Sequence, residues 1–284
     1  MADEETRLVY GDWEAGFAPA LGGALLYLRR RGVDMLRPAP SLEAARQDPR
    51  NAACFPCVPY FGRLARGLDF AGRHFDLAPT LPACDPDNAL HGEGWVSPWR
   101  IVETTPASLT ARFDYVPQRG RFPFPYRAEQ RLALDASGLA ATLSIENVGP
   151  APMPAGLGLH PYFRRTPKTR LAFSAETFWA PPDGPLAPPP DALGTEAATL
   201  PAATRDDTYA GFGGRATVED GTRRVVLASD APALHLFAPA GENFFCLEPV
   251  THLPGAFAQG ANGPGARSLS PGERLSLDMV IGGD

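Results

Sequence analysis

Apolar and polar residues alternate singly along much of this chain. In 131–147, RLALDASGLAATLSIEN, Leu132 and Leu134 lead into Ala136-Ser137-Gly138, and Leu139, Ala141, Leu143 and Ile145 then resume at every second position. Successive side chains of a strand point to opposite faces, so this pattern predicts a hairpin with one buried face. Segments 222–238 (TRRVVLASDAPALHLFA) and 273–281 (ERLSLDMVI) repeat the period of two. Helical periodicity is nearly missing: SLEAARQ at 41–47, preceded by Pro38 and Pro40, predicts one short helix capped by Ser41. The 32 prolines and 29 glycines punctuate the chain too often for long helices. The proline-dense 181–190, PPDGPLAPPP, reads as a loop or extended insertion rather than a linker, because hairpin signals lie on both sides of it. The expected fold is all-β, with residues 1–284 forming a single domain: a large β-sandwich of two packed antiparallel sheets.

Composition narrows the partners. The 284 residues are 44% hydrophobic and 20% charged, the balance of a soluble globular protein with a sizeable core. A net charge of −6 and a pI near 5.4 argue against nucleic acid, whose phosphates require clustered Lys and Arg. The dense basic run Arg29-Arg30-Arg31 is followed by Gly32 and Asp34 and fits a solvated hairpin end. The start, MADEETRLVY, is acidic where a signal peptide is basic and then apolar, and no apolar run approaches the roughly 18 residues that span a bilayer. A cytoplasmic protein without a membrane partner is therefore expected. Of the cysteines, Cys54, Cys57, Cys84 and Cys246, only the first two are closely spaced. With no second tight pair and with Phe55 and Pro56 between them, they read as core thiols, and no metal is expected.

Candidate chemistry begins at GLGLHPYF, 156–163, where His160 precedes Pro161; proline disfavours the helical region for the residue before it, so His160 is expected to be extended. Four further stretches set ionisable groups beside aromatics: VPYFGRL (58–64), DNALHGEGWVSPW (87–99), RDDTYAGF (205–212) and FFCLEPVTHLPGAF (244–257). Aromatic faces pack on C–H surfaces while charged groups take hydroxyls, a combination suited to a sugar. Nucleotides fit less well, since neither GxGxxG after a strand nor GxxxxGK[ST] occurs.

Taken together, Arg63 in PYFGRL, Asn88, His91 and Gly92 in NALHG, His160 in GLHPYF, Asp206 in DDTY and Glu248 in CLEPVTHLPGAF resemble the motifs of the aldose 1-epimerase, or galactose mutarotase-like, family. GGALLYLRRRGVDMLRP resembles its opening strands, so the likeness runs from about residue 15 onward. The resemblance implies a large antiparallel β-sandwich, no cofactor, and interconversion of the α and β anomers of a hexose. It also implies that Glu248 is the general base, that His160 is the general acid, and that Arg63, His91 and Asp206 hold the sugar. Many members carry Asn before the motif arginine, where this chain has Gly62, and Arg164 and Arg165 follow His160, which makes a phosphorylated or acidic hexose conceivable. The motif register favours Asp206 over Asp207.

The chemistry asks for the same residue types. Mutarotation deprotonates the anomeric hydroxyl and protonates the ring oxygen, opens C1–O5 to an aldehyde, rotates C1 and recloses the ring. A carboxylate and an imidazolium can do this by exchanging roles, and the expectation is that they sit on opposite edges of the pyranose with near-ordinary pKa values. Each residue also has a structural reading: Arg63 in an ion pair, His91 capping a turn, Asp206 bonded to its own turn, and His235 in core or surface sheet. His252 either orients Glu248 or is structural, and Trp95, Trp99 and Trp179 divide between pocket wall and core. A non-catalytic sugar-binding protein on the same fold is the competing class. A monomer or homodimer is expected in either case.

Overall fold

The computed structural model describes residues 5–65, 67–180, 184–187, 198–200, 202–221, 223–257 and 265–283. Two large antiparallel sheets dominate. The nine-stranded sheet runs in the order Arg100–Thr104, Ser108–Tyr115, Tyr126–Asp135, Gly138–Asn147, Arg274–Gly283, Arg223–Ser229, Arg215–Asp220, Arg170–Phe173, Ala198–Thr199. The eight-stranded sheet runs Gly184–Ala187, Thr177–Ala180, Arg205–Ala210, Ala233–Ala238, Phe244–Val250, Gly158–Leu159, Pro56–Cys57, with Tyr162–Arg164 also paired to Phe244–Val250. The N-terminal strands Thr6–Tyr10, Trp13–Ala18, Ala24–Arg30 and Val33–Asp34 form a separate four-stranded sheet in addition to the two expected.

The 131–147 hairpin forms as its pattern predicts. Tyr126–Asp135 pairs with Gly138–Asn147, the turn is closed by Asp135 accepting from the backbone and hydroxyl of Ser137, and Leu132, Leu134, Leu139, Ala141, Leu143 and Ile145 are all buried. Each fully buried Leu or Ile contributes about 1.5–3 kcal/mol relative to exposure, so a register slip of one residue would forfeit the whole face. The helix is Leu42–Gln47, with Ser41 Oγ accepting from the Ala44 amide at 3.0 Å. The basic run ends in a turn as anticipated, Arg31 and Gly32 both at positive φ, with Arg29 paired to Asp34 and Arg31 to Asp12. Within 181–190, Gly184–Ala187 is an edge strand; the remaining positions lie outside the described residues.

The two faces of the eight-stranded sheet are chemically distinct. On Phe244–Val250, Phe245 and Leu247 point into the cluster shared with Leu132, Leu143 and Ile281 of the nine-stranded sheet. Cys246 and Val250, with Phe244 packed beside them, belong to a second cluster on the opposite face, with Phe55, Phe61, Trp95 and Tyr162. Period-two alternation on one strand thus holds the sandwich together on one side and builds a cleft on the other.

Candidate active site

The register of the eight-stranded sheet sets the site. His235 lies directly opposite Glu248 on one neighbouring strand. On the other side Gly158 faces Val250 and Tyr162 faces Cys246, which places His160 opposite Glu248. Two residues along, Asp206 faces Phe237 and Phe237 faces Cys246, so a second row runs parallel to the first. His160, Glu248 and His235 of the first row and Asp206 and Phe237 of the second border a cleft of about 830 Å³, which Phe55, Phe61, Trp95, Tyr162, Arg63 and His91 also line.

His160 Nε2 is 3.3 Å from Glu248 Oε1. The two groups are therefore neighbours on the cleft floor. The expectation of ordinary pKa values is overturned. Burial holds the Glu248 carboxyl well above the usual carboxylate range, reinforced by Asp206 and opposed by Arg63. Burial likewise pushes His160 well below the usual imidazole value, helped by His91 and His235. Both shifts disfavour the separated charges and favour the net-neutral form in which Glu248 holds the pair's one proton. The His160 ring packs against Phe55, 4.4 Å away centroid to centroid, and against Tyr162 at 4.9 Å. Glu248 Oε2 and His160 Nδ1 are buried without a hydrogen-bond partner, although both residues line the cleft.

His91 sits in a left-handed turn, φ +55°, ahead of Gly92, where a Cβ would come 2.2 Å from the Val58 carbonyl oxygen. Its backbone donates to the Gly62 carbonyl, and the Gly62 N–H donates to His91 Nδ1 at 3.1 Å. That bond leaves the proton on Nε2, and burial first, then Arg63 and His235, hold the ring neutral down to about pH 3. His91 is thus a fixed neutral donor at the cleft. Arg63 combines its two readings: it lines the cleft, and its Nε donates to Asp85 at 2.7 Å. Asn88 supports that arginine indirectly, its amide donating to Asp85 Oδ1 at 3.0 Å. Gly62 has φ +74°, and a Cβ added there would meet nothing within 4 Å; Asn tolerates this backbone region better than other side chains. Gly62→Asn is expected to leave thermal stability within about 1 kcal/mol and to change KM for a hexose by up to about tenfold, the worth of one hydrogen bond, with kcat little altered; melting curves and steady-state rates measure both.

The choice between the adjacent aspartates is settled by alternation. Asp206 borders the cleft, with Oδ1 3.2 Å from His235 Nε2, and that hydrogen bond lowers its pKa. Asp207 points to the other face and pairs with Arg205 at 2.6 Å. His235 is the residue that sequence reasoning placed wrongly: it lines the cleft, bridging Thr208 Oγ1 (2.8 Å to Nδ1) and Asp206. His252 takes its structural reading, with Nδ1 bonded to the Leu253 carbonyl and Nε2 accepting the Phe61 N–H at 3.0 Å. Burial keeps it neutral, with its pKa lowered to about 4. Trp95 is cleft wall and Trp99 is core, while the Trp179 side chain lies outside the described residues. Cys54, Cys57 and Cys246 are buried free thiols, as read, and Cys84 is half-buried.

The comparisons agree with this architecture. A family profile described as aldose 1-epimerase matches residues 17–282. Escherichia coli K12 YphB, a protein described as uncharacterized, is 29% identical over 278 residues, 92% of each chain. The solved structure of an Escherichia coli K12 protein provisionally described as an aldose 1-epimerase superposes with a TM-score of 0.86 at 27% identity, covering 99% of both chains. The galactose 1-epimerase of Lactobacillus acidophilus NCFM, at 16% identity, has a TM-score of 0.78 over 98% of this chain and 94% of its own, which shows a shared fold.

Proposed function

The chain belongs to the aldose 1-epimerase family, and from that membership we propose that it is a mutarotase, interconverting the α and β anomers of a hexose such as galactose or glucose with Glu248 and His160 as the proton-transfer pair. The single observation that supports this most is the 3.3 Å contact between the two groups at the floor of an open cleft. The hydroxyl oxygen and ring oxygen to be deprotonated and protonated are bonded to the same carbon, closer together than a hydrogen bond is long. A base and an acid that are themselves adjacent can serve both at once.

Ring opening then runs as one exchange. Starting from carboxylate and imidazolium, Glu248 takes the proton of the anomeric hydroxyl while His160 gives its proton to the ring oxygen. C1–O5 breaks, and the pair is left as carboxylic acid and neutral imidazole, with its total proton count unchanged. Burial favours this neutral form, so desolvation pulls the exchange toward the open aldehyde. Hydroxyls reaching the unpartnered Glu248 Oε2 favour the carboxylate before it. Rotation about C1–C2 and the reverse exchange complete the reaction without cofactor. His91 Nε2, Arg63 and Asp206 supply a neutral donor, a cation and an acceptor for the remaining hydroxyls.

A phosphorylated or acidic hexose is the second reading, favoured by one observation. Arg37, which lines the cleft and lies over the Tyr162 ring, donates to the carbonyls of Arg50 and Ala52 and has no carboxylate in ion-pair contact among the described residues. Arg164 and Arg165 instead line an adjoining pocket of about 620 Å³ that also touches Arg37. Polarimetry of freshly dissolved α-glucose, α-galactose and α-glucose 6-phosphate tests the proposal: relaxation faster than in buffer is the expected result, and the preferred sugar separates the two readings. If none relaxes faster, the sugar-binding alternative replaces the enzyme.

A further inference from the structure

One side chain beside the proton-transfer pair has no part in mutarotation. Cys246 lies two residues from Glu248 on the same face of the same strand, and diagonally across from His160 on the next. One donor atom from each of His160, Cys246 and Glu248 falls within 4.8 Å of the other two, and all three side chains are buried. A tetrahedral zinc ion with bonds of about 2.0–2.3 Å to nitrogen, oxygen and sulfur sets its ligands roughly 3.3–3.6 Å apart. The His160 Nε2 to Glu248 Oε1 edge, 3.3 Å, already has that length. Glu248 is 1% exposed and its Oε2 has no partner, so the carboxyl retains unused coordinating capacity.

We propose that His160, Cys246 and Glu248 form an inhibitory site for a borderline-soft divalent cation, with Zn²⁺ as its representative. Thiolate, imidazole and carboxylate suit zinc or cobalt and not magnesium or calcium, which take oxygen ligands. Binding releases the thiol proton and the mobile proton of the pair to solvent, and thiolate plus carboxylate then balance the dication, so the buried assembly carries no net charge. Cys246 does not border the cleft whereas His160 and Glu248 do, so the fourth coordination position opens toward the sugar. A cation held there takes the imidazole lone pair and the carboxylate together, and proton exchange stops. The binding half of this inference is independent of the proposed function; the inhibitory half rests on it.

The test uses Co²⁺ and Zn²⁺ on the whole protein. Wild type is expected to show thiolate-to-cobalt charge-transfer absorption with tetrahedral d–d bands, saturating at one ion per chain and displaced by Zn²⁺. Cys246→Ala and Cys246→Ser are expected to lose the charge-transfer band, and two variants are used so that poor folding of one leaves the other to decide. In parallel, Zn²⁺ should slow wild-type mutarotation at least tenfold, reversibly with chelator. Each variant, compared with its own metal-free rate, should need about 100-fold more zinc, at least the cost of losing a supporting group around a metal. Absence of the band in wild type, or its persistence in both variants, overturns the site. A Cys246-dependent band with mutarotation untouched by zinc supports the metal site and overturns the assignment of His160 and Glu248 as the reacting pair.

Discussion

Glu248→Gln should slow the enzyme-dependent relaxation of an α-hexose by about 10²–10⁴-fold, the usual contribution of a positioned acid or base, while leaving KM within a few-fold. The amide keeps the shape of the carboxyl and its contact with His160 but cannot accept the anomeric proton. The same substitution is expected to stabilise the fold at neutral and alkaline pH. Because burial raises the folded-state pKa of Glu248 above its ordinary 4.5, the native state binds the extra proton more tightly than the unfolded chain does. That contribution is fully present below pH 4.5 and is lost as pH rises toward the folded value. The glutamine variant lacks the loss, so its advantage over wild type should widen above about pH 4.5, by up to ~1.4 kcal/mol per pH unit. Thermal denaturation at pH 5 and pH 8 measures the gap. A variant that is inactive and less stable at pH 8 would contradict the buried-carboxyl account, and one that keeps the wild-type rate would remove Glu248 from the mechanism.

His160→Gln is the second large effect, again about 10²–10⁴-fold on kcat. Glutamine is chosen because its amide reaches toward the position of Nε2, the atom that faces Glu248. Here stability should fall, by about 1–2 kcal/mol, since Phe55 and Tyr162 each lose the ring packed against them. The informative measurement is the double variant with Glu248→Gln. Two groups that exchange one proton act as a unit, so the double variant should be scarcely slower than either single one. Multiplying penalties would mean that the two residues act in separate steps.

The parts legible in the sequence are those whose cause is local. The 131–147 hairpin is read from period-two alternation and a turn within seventeen residues. The Ser41 cap is one residue before its helix. His160 and Glu248 stand out because each precedes a proline and lies in a motif resembling the epimerase family. What the chain conceals depends on register between distant strands. His235 alternates with Leu234 and Leu236 like any strand residue, and only its position opposite Glu248 turns it toward the cleft. Asp85, which holds Arg63, carries no sequence signal, because the two meet only through the pairing of 63–64 with 89–90. The pKa values escape a sequence reading for the same reason: local composition does not reveal how deeply a carboxyl is covered, and depth decides the direction of the shift.

The two-sidedness of the Phe244–Val250 strand has a consequence for divergence within the family. Phe245 and Leu247 anchor the sandwich, whereas Phe244, Cys246 and Glu248 face away from that anchor. Exchanges at the latter positions leave inter-sheet packing intact, so descendants of such a protein can drift in sugar preference, or lose turnover altogether, while inheriting an undiminished scaffold.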